Sequence, residues 1–166
     1  MKLIEDSISD KLHKRCVDEL DANIEKHCWK SSSITWSPQV KEGVNGSCII
    51  TPVSNRLHKS LEKELKPYLP TYDELICQYF VWQHSAGISW HNDTGYDRLF
   101  GATLYLNNEW HPDNGGWFIW EDDKGYHTIL PKKKFLIVSD NYEHHCVTPV
   151  ALGFRCTIQI WGNKIV

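Results

Sequence analysis

The sequence lacks any run approaching the ~18 apolar residues of a membrane span, so no segment is expected to cross a membrane as a helix. It lacks close cysteine pairs: the six cysteines stand at 16, 28, 48, 77, 146 and 156, with no C-x-x-C to suggest a zinc ribbon. It lacks a strong charge of either sign. A net charge of −3 gives no electrostatic reason to expect a nucleic-acid partner. The opening MKLIEDSISD carries acids and no apolar run, so no secretory leader is expected, and reduced thiols in a cytoplasmic protein are the simplest reading. No lipidation signal, internal repeat or dividing linker is visible, which predicts one domain over residues 1–166. A chain of 166 residues buries roughly 70% of its unfolded surface, enough to fold without staples.

What is abundant is tryptophan, with eight residues. Trp favours sheet-rich cores and concave sites with a polar edge. Ile8, Leu12, Cys16, Leu20 and Ile24 recur every four residues and predict a helix over about 8–28, with Ser7 and Asp10 as its capping pair. Residues 30–46 are rich in Ser, Pro and Gly and read as loop or short edge strand. A short strand at 48–50 is followed by a second helix, capped by Ser54 or Asn55, carrying Leu57, Leu61 and Leu65 and ended by Pro67 and Pro70.

From residue 73 the character changes. Eight short runs rich in β-branched and aromatic residues follow, at 75–83, 87–93, 99–107, 116–122, 126–130, 134–139, 144–150 and 154–161. Gly, Pro, Asn and Asp punctuate them, the pattern of an antiparallel sandwich, jelly roll or barrel. The expected fold class is mainly β (α+β), with a helical part over about 1–70 packed on one sheet of a β core over about 73–162.

Within that core, His91-Asn92-Asp93 places an imidazole and a carboxylate on one face of an extended segment. Alone, H-x-D is weak evidence, since it occurs often by chance. A later histidine from His144-His145 would complete a 2-His-1-carboxylate set, which leaves half of an iron's coordination sphere open. Arg155 and Thr157 share a strand face ten and twelve residues after His145. A guanidinium aimed into a β interior is costly to bury without an anionic partner, and a carboxylate matches its planar fork. The competing reading is an Arg on an outer face paired with an acid.

Five stretches carry a family resemblance: ISWHNDTGYDR (88–98), ATLYLNNEW (102–110), GGWFIW (115–120), LPKKKFLIV (130–138) and HHCVTPVALGFRCTIQIW (144–161). Together they resemble the catalytic core of the prolyl-4-hydroxylase-like branch of the 2-oxoglutarate/Fe(II) oxygenases, over about half the chain. The resemblance implies a double-stranded β-helix, or jelly roll, and a dioxygenase that hydroxylates an unactivated C–H bond while converting 2-oxoglutarate to succinate and CO₂. It implies Fe(II), 2-oxoglutarate and O₂ and admits ascorbate. By position it implies His91, Asp93 and His145 as metal ligands and catalytic residues. Arg155 and Thr157 become the cosubstrate-binding pair, and Tyr105 a further cosubstrate contact with Tyr79 as its substitute. His144 should face away, and Cys146 should pack outside the interior. A carboxylate ligand at Asp93 also argues against a halogenase, because halide needs that coordination position.

Peptidyl proline is the substrate this branch implies. A free amino acid, a small metabolite or a non-catalytic jelly-roll binding module are the alternatives, as is another cupin-like metalloenzyme. A peptide, protein or small-molecule partner is expected and a nucleic acid or membrane is not; oligomeric state is not legible. Two departures from the family pattern bear on substrate: Trp117 follows the Gly-Gly pair, and Pro131-Lys132-Lys133-Lys134 lacks the usual turn glycine. The lysine run reads as a solvated turn and His111 as a surface residue, and His84 and His127 show no partner pattern. Trp90, Trp110, Trp117 and Trp120 suggest an aromatic substrate groove, with core packing an equal reading for Trp117 and Trp120.

Overall fold

The computed structural model describes residues 1–31, 41–93, 97–140 and 143–165. Helix α1 (Asp10–Glu25) starts at Ser9, whose extended backbone lets its hydroxyl accept the Leu12 N–H. The expected cap, Ser7, is instead buried, with its Oγ donating to the Lys134 carbonyl. Helix α2 (Asn55–Leu65) starts at Ser54, which accepts the Leu57 N–H. Each helix also supplies a carboxylate to the other's first turn. Glu64 accepts from Ser9 N (2.7 Å) and Oγ (3.0 Å), and Glu19 accepts from Ser54 N (2.9 Å) and Oγ. The two helices therefore run antiparallel, with donors that would be orphaned at both N-termini satisfied.

The β body contains all eight expected runs as strands, in two antiparallel sheets that do not close into a barrel. The larger sheet has the order β1 (Lys2–Ile4), β10 (Leu136–Asp140), β7 (Arg98–Tyr105), β12 (Arg155–Asn163), β5 (Glu74–Trp82), β4 (Cys48–Pro52), β2 (Lys30–Ser31). The smaller has β3 (Val44–Asn45), β6 (Gly87–His91), β11 (His145–Val147), β8 (Phe118–Asp122), β9 (Gly125–Ile129). Strand β1 lay outside the expectation: three residues pair with β10 at the sheet edge, too few to show an alternation. The loop expected over 30–46 lies in large part outside the described residues.

Alternation along the strands creates two cores. One face of the larger sheet (Cys77, Val81, Phe100, Leu104, Ile158, Ile160) packs under Leu12, Cys16, Leu20, Leu57, Leu61 and Leu65 of the helices. The opposite face packs Ile50, Phe80, Trp82 and Tyr105 against Ile88, Phe118, Trp120 and Val147 of the smaller sheet. Burial in the first core lifts the Cys16 and Cys77 thiols to about 12, so both behave as small apolar side chains.

The lysine turn is more tied down than expected. Lys132 pairs with Glu5, Lys133 with Asp10, and Lys134 with Asp6 and Asp10. Lys134 takes φ +58°, the left-handed conformation that glycine favours. The turn geometry thus survives the missing glycine. Its backbone brackets Tyr105: Lys134 N–H donates to the Tyr105 carbonyl, and Tyr105 N–H donates to that of Phe135.

Candidate active site

The site lies between the sheets. Strand β11 pairs with β6 so that His145 stands opposite His91, and Val147 opposite Ile88. Three steps on β6 match two on β11, a bulge that brings His91 onto the same face as His145 and leaves Trp90 exposed. The imidazole centroids are 4.3 Å apart. Each ring is oriented in the same way: Nδ1 of His91 meets the Ser89 carbonyl at 2.8 Å, and Nδ1 of His145 meets that of Glu143 at 2.9 Å. A carbonyl only accepts, so Nδ1 is the donor in both rings and Nε2 is the atom each ring would offer to a metal.

Asp93 follows β6 and faces both nitrogens, with Oδ1 3.9 Å from His91 Nε2 and Oδ2 3.8 Å from His145 Nε2. One donor atom from each of the three residues lies within 4.8 Å of the others. Burial, reinforced by the His145 ring and opposed by Asp93, holds the His91 imidazole below its ordinary pKa. It is thereby kept neutral, as a ligand must be. The Phe118 ring stacks on His145 at 5.1 Å and 20°. His144 is exposed, and Cys146 is turned to the other face of β11, both as expected.

On the facing sheet, Arg155 is 1% exposed, Thr157 and Tyr105 fully buried. Strand register sets Thr157 directly opposite Tyr105. Arg155 Nη2 donates to the Tyr105 hydroxyl at 3.1 Å, and the guanidinium lies 5.0 Å from the Tyr105 ring centroid and 5.9 Å from that of Trp82. Yet Arg155 Nε and Thr157 Oγ1 are buried with no partner among the described residues. A buried cation with no acidic ion-pair partner among the described residues is a costly arrangement unless an anion joins it. A carboxylate is the group that would satisfy both orphaned atoms. Tyr79, the substitute for Tyr105, sits on the wrong face: its hydroxyl donates to Glu19 at 3.2 Å, beneath the helices.

The tryptophans divide. Trp120 is core, stacked on His127 at 5.1 Å, and His127, which shows no partner pattern in sequence, has a partner in Asp122 at 2.8 Å. His84 likewise has one, the Ala151 carbonyl at 2.8 Å. Trp117 points its indole N–H at the Pro112 carbonyl, and Trp110 packs beside Gly116 with its N–H on the Gly115 carbonyl. Trp90 stays exposed and meets Tyr126 at 5.7 Å.

Two supporting residues escaped the sequence reading. Phe118 was seen only as part of a strand. Gly101 lies beneath Asp93, and a glycine inside a strand pattern is the signal that marks such a close approach.

Comparison with known proteins agrees with this geometry. The sequence profile of the 2OG-Fe(II) oxygenase superfamily matches residues 76–163, more than half of the chain. No curated protein sequence matches. Among solved structures, a Pseudomonas putida prolyl-4-hydroxylase superposes with a TM-score of 0.79 at 18% identity, covering 99% of this chain and 92% of that one. A Trichoplax adhaerens prolyl hydroxylase, in complex with a hypoxia inducible factor oxygen degradation domain peptide fragment, gives 0.74 at 17% identity over 98% and 82%. A viral collagen prolyl hydroxylase from Paramecium Bursaria Chlorella virus-1, a 2OG complex, gives 0.68 at 16% over 99% and 96%. At such identities the likeness shows the jelly-roll fold, and it is the profile match that carries membership: the chain belongs to the 2OG-Fe(II) oxygenase superfamily.

Proposed function

We propose that the protein hydroxylates an unactivated C–H bond, with His91, Asp93 and His145 holding Fe(II) and with Arg155, Thr157 and Tyr105 holding the distal carboxylate of 2-oxoglutarate. The observation that carries this reading is the pairing of two features in one interior. A cluster of two histidines and a carboxylate stands across from a buried guanidinium, and Arg155 Nε and Thr157 Oγ1 there have no partner among the described residues. Bound there, iron and 2-oxoglutarate supply O₂ activation coupled to decarboxylation to succinate and CO₂.

The protein's own part is orientation. The Ser89 and Glu143 carbonyls fix both imidazoles, and the Phe118 ring holds His145 in its plane. Arg155 provides a planar fork, and the aromatic faces of Trp82 and Tyr105 exclude water from it. Three protein ligands leave positions for the keto acid and O₂.

Peptidyl proline is the substrate we favour, because the resemblance across 88–161 is to the prolyl-4-hydroxylase-like branch and a neighbouring fold holds a peptide. The six cysteines are all unpaired, which supports a reducing compartment and a cytoplasmic location. No described helix is long and apolar enough to cross a membrane. The deciding experiment supplies Fe(II), 2-oxoglutarate and O₂ with a panel of proline-containing peptides and small metabolites. Succinate release matched by a gain of one oxygen in a peptide is expected. Oxygen gained only by a metabolite would move the substrate, and no succinate with any candidate would leave a binding module.

A further inference from the structure

The register between β12 and β7 orders the cleft into three rungs on one face: Thr157 opposite Tyr105, Gln159 opposite Thr103, and Trp161 opposite Gly101. The first rung carries the guanidinium end, since Arg155 reaches the Tyr105 hydroxyl. The third lies against the metal cluster, since Gly101 faces Asp93 Oδ2. Rungs two residues apart are separated by ~7 Å, so the middle one underlies whatever connects the two ends. It is polar where a core would be apolar. Thr103 is buried, and its hydroxyl donates to Gln159 Oε1 at 2.9 Å, which turns the Gln159 amide nitrogen away from Thr103. Gln159 itself remains partly exposed although it faces between the sheets, so the interior is open at this rung.

Building on the function proposed above, we infer that Gln159 is a cosubstrate contact and Thr103 its positioning residue. The Gln159 amide donates to the metal-proximal keto-acid end of 2-oxoglutarate, while Arg155 takes the distal carboxylate. Thr103 holds the amide in the donating orientation. The pair thus makes the cleft selective for a keto diacid that reaches both rungs.

The test is anaerobic titration of the whole protein, first with Mn(II) and then with 2-oxoglutarate, read by calorimetry. Gln159→Leu should weaken 2-oxoglutarate binding about tenfold, the loss of one hydrogen bond to a charged group, with Mn(II) affinity unchanged. Thr103→Val should weaken it severalfold and Thr103→Ser should restore it. With Fe(II), the visible charge-transfer band of the keto-acid chelate should shift in the Leu variant. The Val and Ser pair carries the test if the Leu variant fails to fold. Unchanged 2-oxoglutarate affinity in both Gln159→Leu and Thr103→Val overturns the inference alone, as does a parallel loss of Mn(II) affinity. Absence of 2-oxoglutarate binding by the unaltered protein overturns the parent reading.

Discussion

Gly101 and Asp93 meet face to face: a Cβ added to Gly101 would stand 2.7 Å from Asp93 Oδ2. The carboxylate owes its position to a missing side chain on the opposite sheet. Gly101→Ala is therefore expected to leave the fold intact while pushing Asp93 off the point shared with His91 and His145. Metal affinity should fall about tenfold to a hundredfold, the usual cost of disturbing a ligand's support. Mn(II) titration alongside thermal unfolding checks this. An unchanged affinity would show that the carboxylate swings aside freely.

The two adjacent histidines should behave oppositely. His145 stands opposite His91 with its Nδ1 on the Glu143 carbonyl, whereas His144 is exposed beyond the cluster. His145→Ala should abolish succinate formation, as should Asp93→Ala, and His144→Ala should retain it. The reverse pattern in the two alanine variants would reassign the ligand.

Arg155 and Tyr105 should differ in degree. In the proposed function, removing the guanidinium deletes the only positive charge that would meet the distal carboxylate among the side chains described at that end of the cleft. Arg155→Gln should raise the KM for 2-oxoglutarate by at least ~30-fold, the low end for losing a buried charged partner. Tyr105→Phe removes one hydroxyl and one hydrogen bond, and should raise it only severalfold. Steady-state kinetics with 2-oxoglutarate as the varied substrate distinguishes the two.

Stability should depend on pH through His13. Its ring is buried on α1, and Nε2 donates to the Leu106 carbonyl at 2.9 Å. Burial holds its pKa below the ordinary 6.5, outweighing that hydrogen bond. The unfolded chain therefore takes up the proton first as pH falls. His13's contribution is complete above pH 6.5 and is lost as pH drops from there through its lower folded value. The urea midpoint should fall between pH 7 and pH 5, and by less in His13→Gln, which keeps a donor without titrating.

Much of the site was legible because its chemistry is local. His91 and Asp93 are two residues apart, and Arg155 and Thr157 are too, so period-two alternation alone predicts that each pair shares a face. Helix α1 was legible from its four-residue apolar spacing, but its cap was not. Ser7 and Ser9 are equally good caps in sequence, and only the pull of the Lys134 carbonyl on Ser7 and of Glu64 on Ser9 separates them. Tyr79 likewise stayed open as a substitute for Tyr105 until the sheet had two different faces to offer. One tyrosine went under the helices and the other into the cleft.

By itself, the sequence determined the two helices and the eight core strands, the two-residue spacings within the candidate site and the family, because alternation and motif are properties of neighbours along the chain. Tertiary structure alone decided that β6 bulges so that His91 faces His145. It decided that Gly101 opens room for Asp93, and that Thr103 and Gln159 lie between the two ends of the cleft. Those relations join strands far apart in sequence, and strand register, which no single strand encodes, is what sets them.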